Sequence, residues 1–188
     1  MNAFNPQTTA VIVIDVQVGV FETQPPPINK EKVLSSINRV TAAARAAPSS
    51  VIFIQHDGHP DEQWLLPNTP DWSLHPALKV TGDDSIIRKT TCDAFYQTEL
   101  ESHLLSKSIE TIIIVGYATE FCIDTTIRSA ASKDFSVVVV TDSHTTKDRP
   151  SLDATGVIAH HQWLWSNLIC RKGVLLLSAS EVVHRFCE

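Results

Sequence analysis

The stretch IIIVGYATEFCIDTTIRSA, residues 112–130, decides how this chain is read. It opens as a run of β-branched residues, breaks at Gly116 and turns polar. From Glu120 it takes helical spacing through Lys133. The apolar run is continuous rather than alternating, which is how a strand covered on both faces reads. A buried strand that hands over to a helix through a short polar turn is one unit of an α/β fold. Cys122 sits at that handover.

Working outward, similar runs recur at AVIVI (10–14), VIFI (51–54), TIIIV (111–115), VVVV (137–140) and VLLL (174–177). A weaker one, SIIR, covers 85–88. Segments with helical spacing separate them, at 30–47, 99–107, 120–133, 151–167 and 180–186. Strand then helix, repeated, predicts an α/β protein built as a three-layer α/β/α sandwich. The 188 residues (1–188) fit a single domain that buries roughly 70% of its unfolded surface. One irregular region stands out, residues 56–84, rich in Pro, Asp and Trp. A loop that long inside a compact domain usually carries function.

Composition narrows the partners. The formal net charge is -6 and no basic cluster is present, so nucleic acid is not expected. No apolar stretch approaches the roughly 20 residues of a membrane span, so no membrane association is expected either. The first residues, MNAFNPQTTA, lack the basic and apolar regions of a secretory signal. The four cysteines (Cys92, Cys122, Cys170, Cys187) form no CxxC pair and read as reduced thiols of a cytoplasmic protein.

In open parallel sheets ligands bind beyond the carboxyl ends of the strands, so the residues after each run matter most. Asp15 follows the first run; Gln55, His56 and Asp57 follow the second. Lys89 follows SIIR, Gly116 and then Cys122 follow TIIIV, and Asp142 and His144 follow VVVV. Thr119 reads as a helix N-cap with Cys122 in the first turn. A thiol there feels the positive end of the helix dipole, and the turn's free N–H groups could hold an oxyanion. The competing reading of Cys122 is a small buried hydrophobe. Asp15 places a carboxylate for proton transfer, or else simply ends its strand. Lys89 could pair with Asp15 or steady negative charge, or else be a solvated loop lysine. Arg88, one residue earlier, would point to the opposite face.

The ordered set VIDVQ with Asp15, IRKTTCDAF with Lys89 and VGYATEFCIDTTIRSA with Cys122 resembles the isochorismatase-like cysteine hydrolases. That superfamily includes nicotinamidases, N-carbamoylsarcosine amidases, ureidoacrylate-type amidohydrolases and streptothricin-type hydrolases. The spacing G-x-x-T-x-x-C, the pair Thr126 and Arg128, and TDSHTT at 141–146 support it. The resemblance implies a Rossmann-like, six-stranded parallel sheet and an Asp15–Lys89–Cys122 triad. It implies cleavage of a C–N bond (amide, lactam or carbamoyl) of a small molecule through a thioester on Cys122, with no organic cofactor. The backbone N–H groups of Ala118 and Cys122 would form the oxyanion hole, with a cis peptide at Tyr117–Ala118. The alternatives it leaves are a vinyl ether hydrolase of the isochorismatase type and a metal-dependent nicotinamidase.

For the metal, Asp57, His59 and His75 are the candidate ligands, since imidazole and carboxylate suit a divalent transition metal. PDWSLHPAL resembles the metal-free branches instead, so no metal is expected. Gln17, Phe21, Trp64 and Tyr117 are the candidate substrate-binding residues. No arginine is seen waiting beside the triad, which favours a neutral substrate. Relatives commonly form homodimers or homotetramers. The Trp-rich segment HHQWLWSNL (160–168) is the candidate interface.

Overall fold

In the computed structural model, which describes residues 3–188, all six expected runs form strands. They are β1 (Thr9–Ile14), β2 (Ser50–His56), β3 (Ser85–Lys89), β4 (Thr111–Tyr117), β5 (Ser136–Thr145) and β6 (Val174–Leu177). All neighbours pair in parallel, in the order β3-β2-β1-β4-β5-β6. The helices are α1 (Val18–Phe21), α2 (Lys30–Ala46), α3 (Leu100–Ser106), α4 (Asp124–Ser132), α5 (Ala154–Ser166) and α6 (Ala179–Cys187).

The continuous apolar runs are explained by two separate cores. On β1, Val11 and Val13 face one core, shared with Val33, Ile37 and Val40 of α2 and Val182 and Phe186 of α6. Ala10, Ile12 and Ile14 face the other, shared with Leu100 and Leu104 of α3, Ile127 of α4 and Trp165 of α5. Every residue of β1 is buried. Each such Val or Ile contributes about 1.5–3 kcal/mol by leaving water, and from Ala10 to Ile14 the central strand carries no polar side chain.

β1 pairs β2 on one side and β4 on the other. The chain therefore leaves β1 in one direction and returns on the other side at β4. That is the topological switch point of an open sheet, and a crevice opens there above the strand ends. Gly116 is fixed by this geometry: its φ is +126°, and a Cβ would lie 2.1 Å from the Ile14 carbonyl oxygen. Only glycine lets β4 approach β1 so closely.

Three elements depart from the sequence reading. β5 runs five residues past VVVV to Thr145, because Ser143, His144 and Thr145 are polar yet buried. The helix expected from Glu120 starts as one π-helical turn, Thr119–Ile123, and becomes α-helical only at Asp124. The short α1 was not foreseen. No helix among the described residues is long and apolar enough to cross a membrane.

Candidate active site

Three strand ends supply the reactive groups. β1 stops where Asp15 takes a left-handed backbone conformation, with φ 52°. Asp15 N–H donates to the Ile54 carbonyl of β2 at 3.0 Å, which holds this turn in place. A non-glycine residue there is strained, and such strain is kept where the surrounding structure over-determines it. Lys89 is the last residue of β3. Cys122 lies in the π turn after β4, following a cis peptide at Tyr117–Ala118, as the resemblance implied.

These groups meet. Lys89 Nζ lies 2.6 Å from Asp15 Oδ2 and 3.3 Å from Cys122 Sγ. It also donates to the Thr91 carbonyl at 2.9 Å and approaches His56 Nδ1 at 3.3 Å. Lys89 is 2% exposed, and Asp15 is 3% exposed. Burial works to pull the Lys89 ammonium down, but the Asp15 carboxylate and Cys122 outweigh it and hold its pKa above the ordinary value. Lys89 is therefore a fixed cation. Asp15 Oδ1, the oxygen that Lys89 does not hold, is buried and accepts no hydrogen bond among the described residues.

The sulfur does not behave as the helix-dipole argument expected. The Cys122 thiol is pushed up, first by its hydrogen bond with Cys92, then by burial and the Asp15 carboxylate, against the pull of Lys89. Cys92 is pulled the other way, to about 6, by the same hydrogen bond, with Lys89 helping. The dipole argument assumed a regular first turn capped by Thr119. Instead the Thr119 hydroxyl is engaged by His144 Nδ1 at 2.8 Å, beneath the sheet edge. His144 also meets the Gln162 amide at Nε2, at 3.1 Å. Burial, together with His161, lowers the His144 pKa to about 3, so the ring is neutral and braces the turn from below.

A cavity of about 470 Å³ opens over these groups. Its wall includes Asp15, His56, Trp64, Thr91, Cys92, Tyr117, Ala118, Phe121, Cys122 and Arg149. Trp64 and Tyr117, two of the candidate substrate-binding residues, line this cavity. The Trp64 indole N–H donates to the Gly19 carbonyl at 3.1 Å, which fixes the irregular region against α1. No acceptor among the described residues meets the Ala118 N–H.

Two candidate pocket residues are elsewhere. Gln17 is fully buried; its amide N–H₂ donates to the His56 and Trp72 carbonyls, and its Oε1 accepts from His56 N–H at 2.8 Å. Every polar atom is used by the backbone, so it ties the irregular region to β2. Phe21 is a core residue whose ring backs Tyr117 at 6.0 Å between centroids. It supports the wall without lining it.

The metal candidates do not converge. Asp57 accepts from Arg88 and from the Trp72 indole. His59 is exposed and faces Asp61, while His75 is buried against Glu22 at 2.8 Å. No three His, Cys, Asp or Glu side chains among the described residues are grouped to hold a metal ion. Arg88 does point away from the site, as strand alternation required, and pairs with Asp57.

Arg149 was missed, and with it the claim that no arginine stands near the triad falls. It lines the cavity, lies over the Phe121 ring at 5.2 Å and pairs with Glu120. Asp142 and His144 were expected at the site edge. Both lie within β5 instead: Asp142 accepts from Ala179 N–H of α6, and His144 is buried. The strand-end rule points to Arg149 once β5 is allowed its true length. Cys92, three residues after Lys89, was in view but unused.

A sequence profile of the isochorismatase domain matches residues 9–159. A streptothricin hydrolase of Streptomyces noursei is 30% identical over 142 residues, 76% of this chain and 56% of that protein. A ureidoacrylate amidohydrolase of Methylorubrum extorquens is 25% identical over 186 residues, covering 80% of this chain and 75% of that one. The chain thus spans about half the length of the streptothricin hydrolases it matches. Among solved structures, a cysteine hydrolase from Pseudomonas syringae superposes with a TM-score of 0.89 at 26% identity, over 99% of this chain and 95% of that one.

Proposed function

The chain belongs to the isochorismatase domain family, and from that premise we propose that it is a cysteine hydrolase cleaving a C–N bond of a small amide, lactam or carbamoyl compound. The observation that carries this reading is the division of labour on Asp15. One oxygen is held by a permanent cation; the other is buried, unpartnered and in the same cavity as a thiol. That is the position of a general base waiting for a proton. The relatives named as a streptothricin hydrolase and a ureidoacrylate amidohydrolase support the same chemistry.

The resting Cys122 is a thiol, because its surroundings push its ionisation up. Attack on the carbonyl carbon therefore goes with proton transfer from Sγ to Asp15 Oδ1. The carbonyl oxygen, now negative, faces the N–H groups of Ala118 and Cys122. Collapse breaks the C–N bond, and Asp15 returns the proton to the departing nitrogen. A thioester remains on Cys122. Asp15 then deprotonates a water that attacks the thioester, the acid leaves, and the proton returns to sulfur. Lys89 keeps its charge throughout; it orients Asp15 and steadies the sulfur at 3.3 Å. The Arg149 charge is met by Glu120, which keeps a neutral substrate as the better fit.

A panel of amides, lactams and carbamoyl compounds, assayed for release of ammonia or of the ring-opened acid, tests the reading. The expected result is turnover that falls by at least ~10³-fold in Cys122→Ala. Full turnover by that variant would contradict the thioester route.

A further inference from the structure

The triad leaves one reactive group of the cavity without a task. Cys92 is solvent-exposed and lines the same cavity as Cys122. The backbone around it is tied to the Cys122 segment at both ends. On one side, Lys89 Nζ donates to the Thr91 carbonyl at 2.9 Å while reaching Cys122 Sγ at 3.3 Å. On the other, Thr126 Oγ1 of α4, one turn after Cys122, accepts Ala94 N–H at 3.2 Å and reaches the Cys92 carbonyl at 3.5 Å. The Cys92 segment is thus fastened to the Cys122 segment on both sides, and both thiols stand in the wall of one cavity.

We propose that Cys92 and Cys122 form a peroxide-reactive dithiol, a modification site that closes to a disulfide and masks the nucleophile. In effect on turnover this rests on the hydrolase reading; in its chemistry it does not. Ionisation of the pair begins at Cys92, the exposed member, at about 6, so a thiolate is present at neutral pH. That thiolate attacks one oxygen of a hydroperoxide. The O–O bond breaks, the other oxygen leaves as hydroxide or alkoxide and takes a proton, and Cys92 becomes a sulfenic acid. Cys122 then attacks the Cys92 sulfur: the S–S bond forms, the S–O bond breaks, and water leaves with the Cys122 proton. The two thiols lose two electrons and the peroxide gains them. A dithiol reductant reverses the change by exchange. The unmodified pair guards the nucleophile, because the first oxidation falls on its exposed neighbour.

The test is intact mass after brief treatment of the full chain with hydrogen peroxide, quenched by alkylation and read without reductant. The expected product is lighter by about 2 Da, has lost alkylation at Cys92 and Cys122 together, and yields a Cys92–Cys122 peptide. Dithiothreitol should restore both thiols. In Cys92→Ser the mass loss should vanish and stable oxygen adducts collect on Cys122. Oxygen adducts without mass loss in the unsubstituted chain, or a cross-link through Cys170 or Cys187, would overturn the proposal. The mass readout is independent of any substrate, so failure of the hydrolase reading leaves it intact.

Discussion

Arg88 and Lys89 are neighbours on β3, and each forms an ion pair with an aspartate. The two pairs have opposite meanings. Arg88 faces Asp57 with side-chain exposures of 52% and 15%, whereas Lys89 faces Asp15 at 0% and 5%. Strand alternation alone separates them: one residue of offset sends one cation to the rim and the other into the cavity. The rim pair, with the Trp72 indole on the same carboxylate, fastens the irregular region to the sheet. The buried pair leaves one carboxylate oxygen free and sits against a thiol. A buried ion pair is weak evidence for stability, since desolvation costs about as much as attraction returns. Its retention here is better understood through what it does to Asp15 and Cys122.

Substituting each cation by methionine breaks the comparison most directly. Lys89→Met leaves Asp15 buried and unpaired, so unfolding free energy should fall by roughly 3–5 kcal/mol and turnover should be lost. Arg88→Met should cost no more than about 1 kcal/mol, because solvent screens an exposed pair. Urea denaturation of both variants measures this. Equal losses would mean that burial does not separate the two pairs.

The loop's other anchor is expected to cost an intermediate amount. Gln17→Leu strands the His56 N–H and removes donors from the His56 and Trp72 carbonyls, a loss of about 2–3 kcal/mol by the same denaturation. If the cavity depends on that anchor, substrate KM should rise along with the loss of stability.

Acid sharpens the comparison from beneath the site. His144 binds its proton at about 6.5 when unfolded but only at about 3 when folded, because burial excludes the charge. Between those values the unfolded chain holds more protons, so stability rises with pH and is lost as pH falls through the window. The loss from about pH 7 to pH 5 should be on the order of 2 kcal/mol. His144→Gln, which keeps a neutral hydrogen-bonding group, should flatten that part of the stability profile even if it lowers the whole curve.

Much of the fold was legible because the buried parallel strands are made of little besides β-branched and aliphatic residues. Asp15 and Lys89 were legible for a related reason: each is the first charged group to reach the cavity at the end of such a run. What escaped was polar structure that is buried. Ser143, His144 and Thr145 look like a loop, yet they continue β5, since their polar atoms find partners such as Thr119, Gln162 and the Ile28 carbonyl. Taking the strand to end at Val140 put Asp142 and His144 at the rim and hid Arg149, which follows the true end by four residues. Gln17 was misplaced for the converse reason. An amide two residues after Asp15 resembles a substrate ligand, and only three-dimensional contacts show that the backbone consumes it. The π turn at Thr119–Ile123 has no simple periodicity to betray it, so Thr119 was given the role of a cap.

The covalent step is the central claim, and mass can read it directly. A rapidly acid-quenched reaction, with a substrate found by the panel, should show unsubstituted protein heavier by the acyl group alone. Peptide mapping should place that group on Cys122, and Cys122→Ala should carry none. Turnover by Cys122→Ala at the unsubstituted rate, with no acyl adduct on Cys122 in the unsubstituted protein at any quench time, would contradict the account.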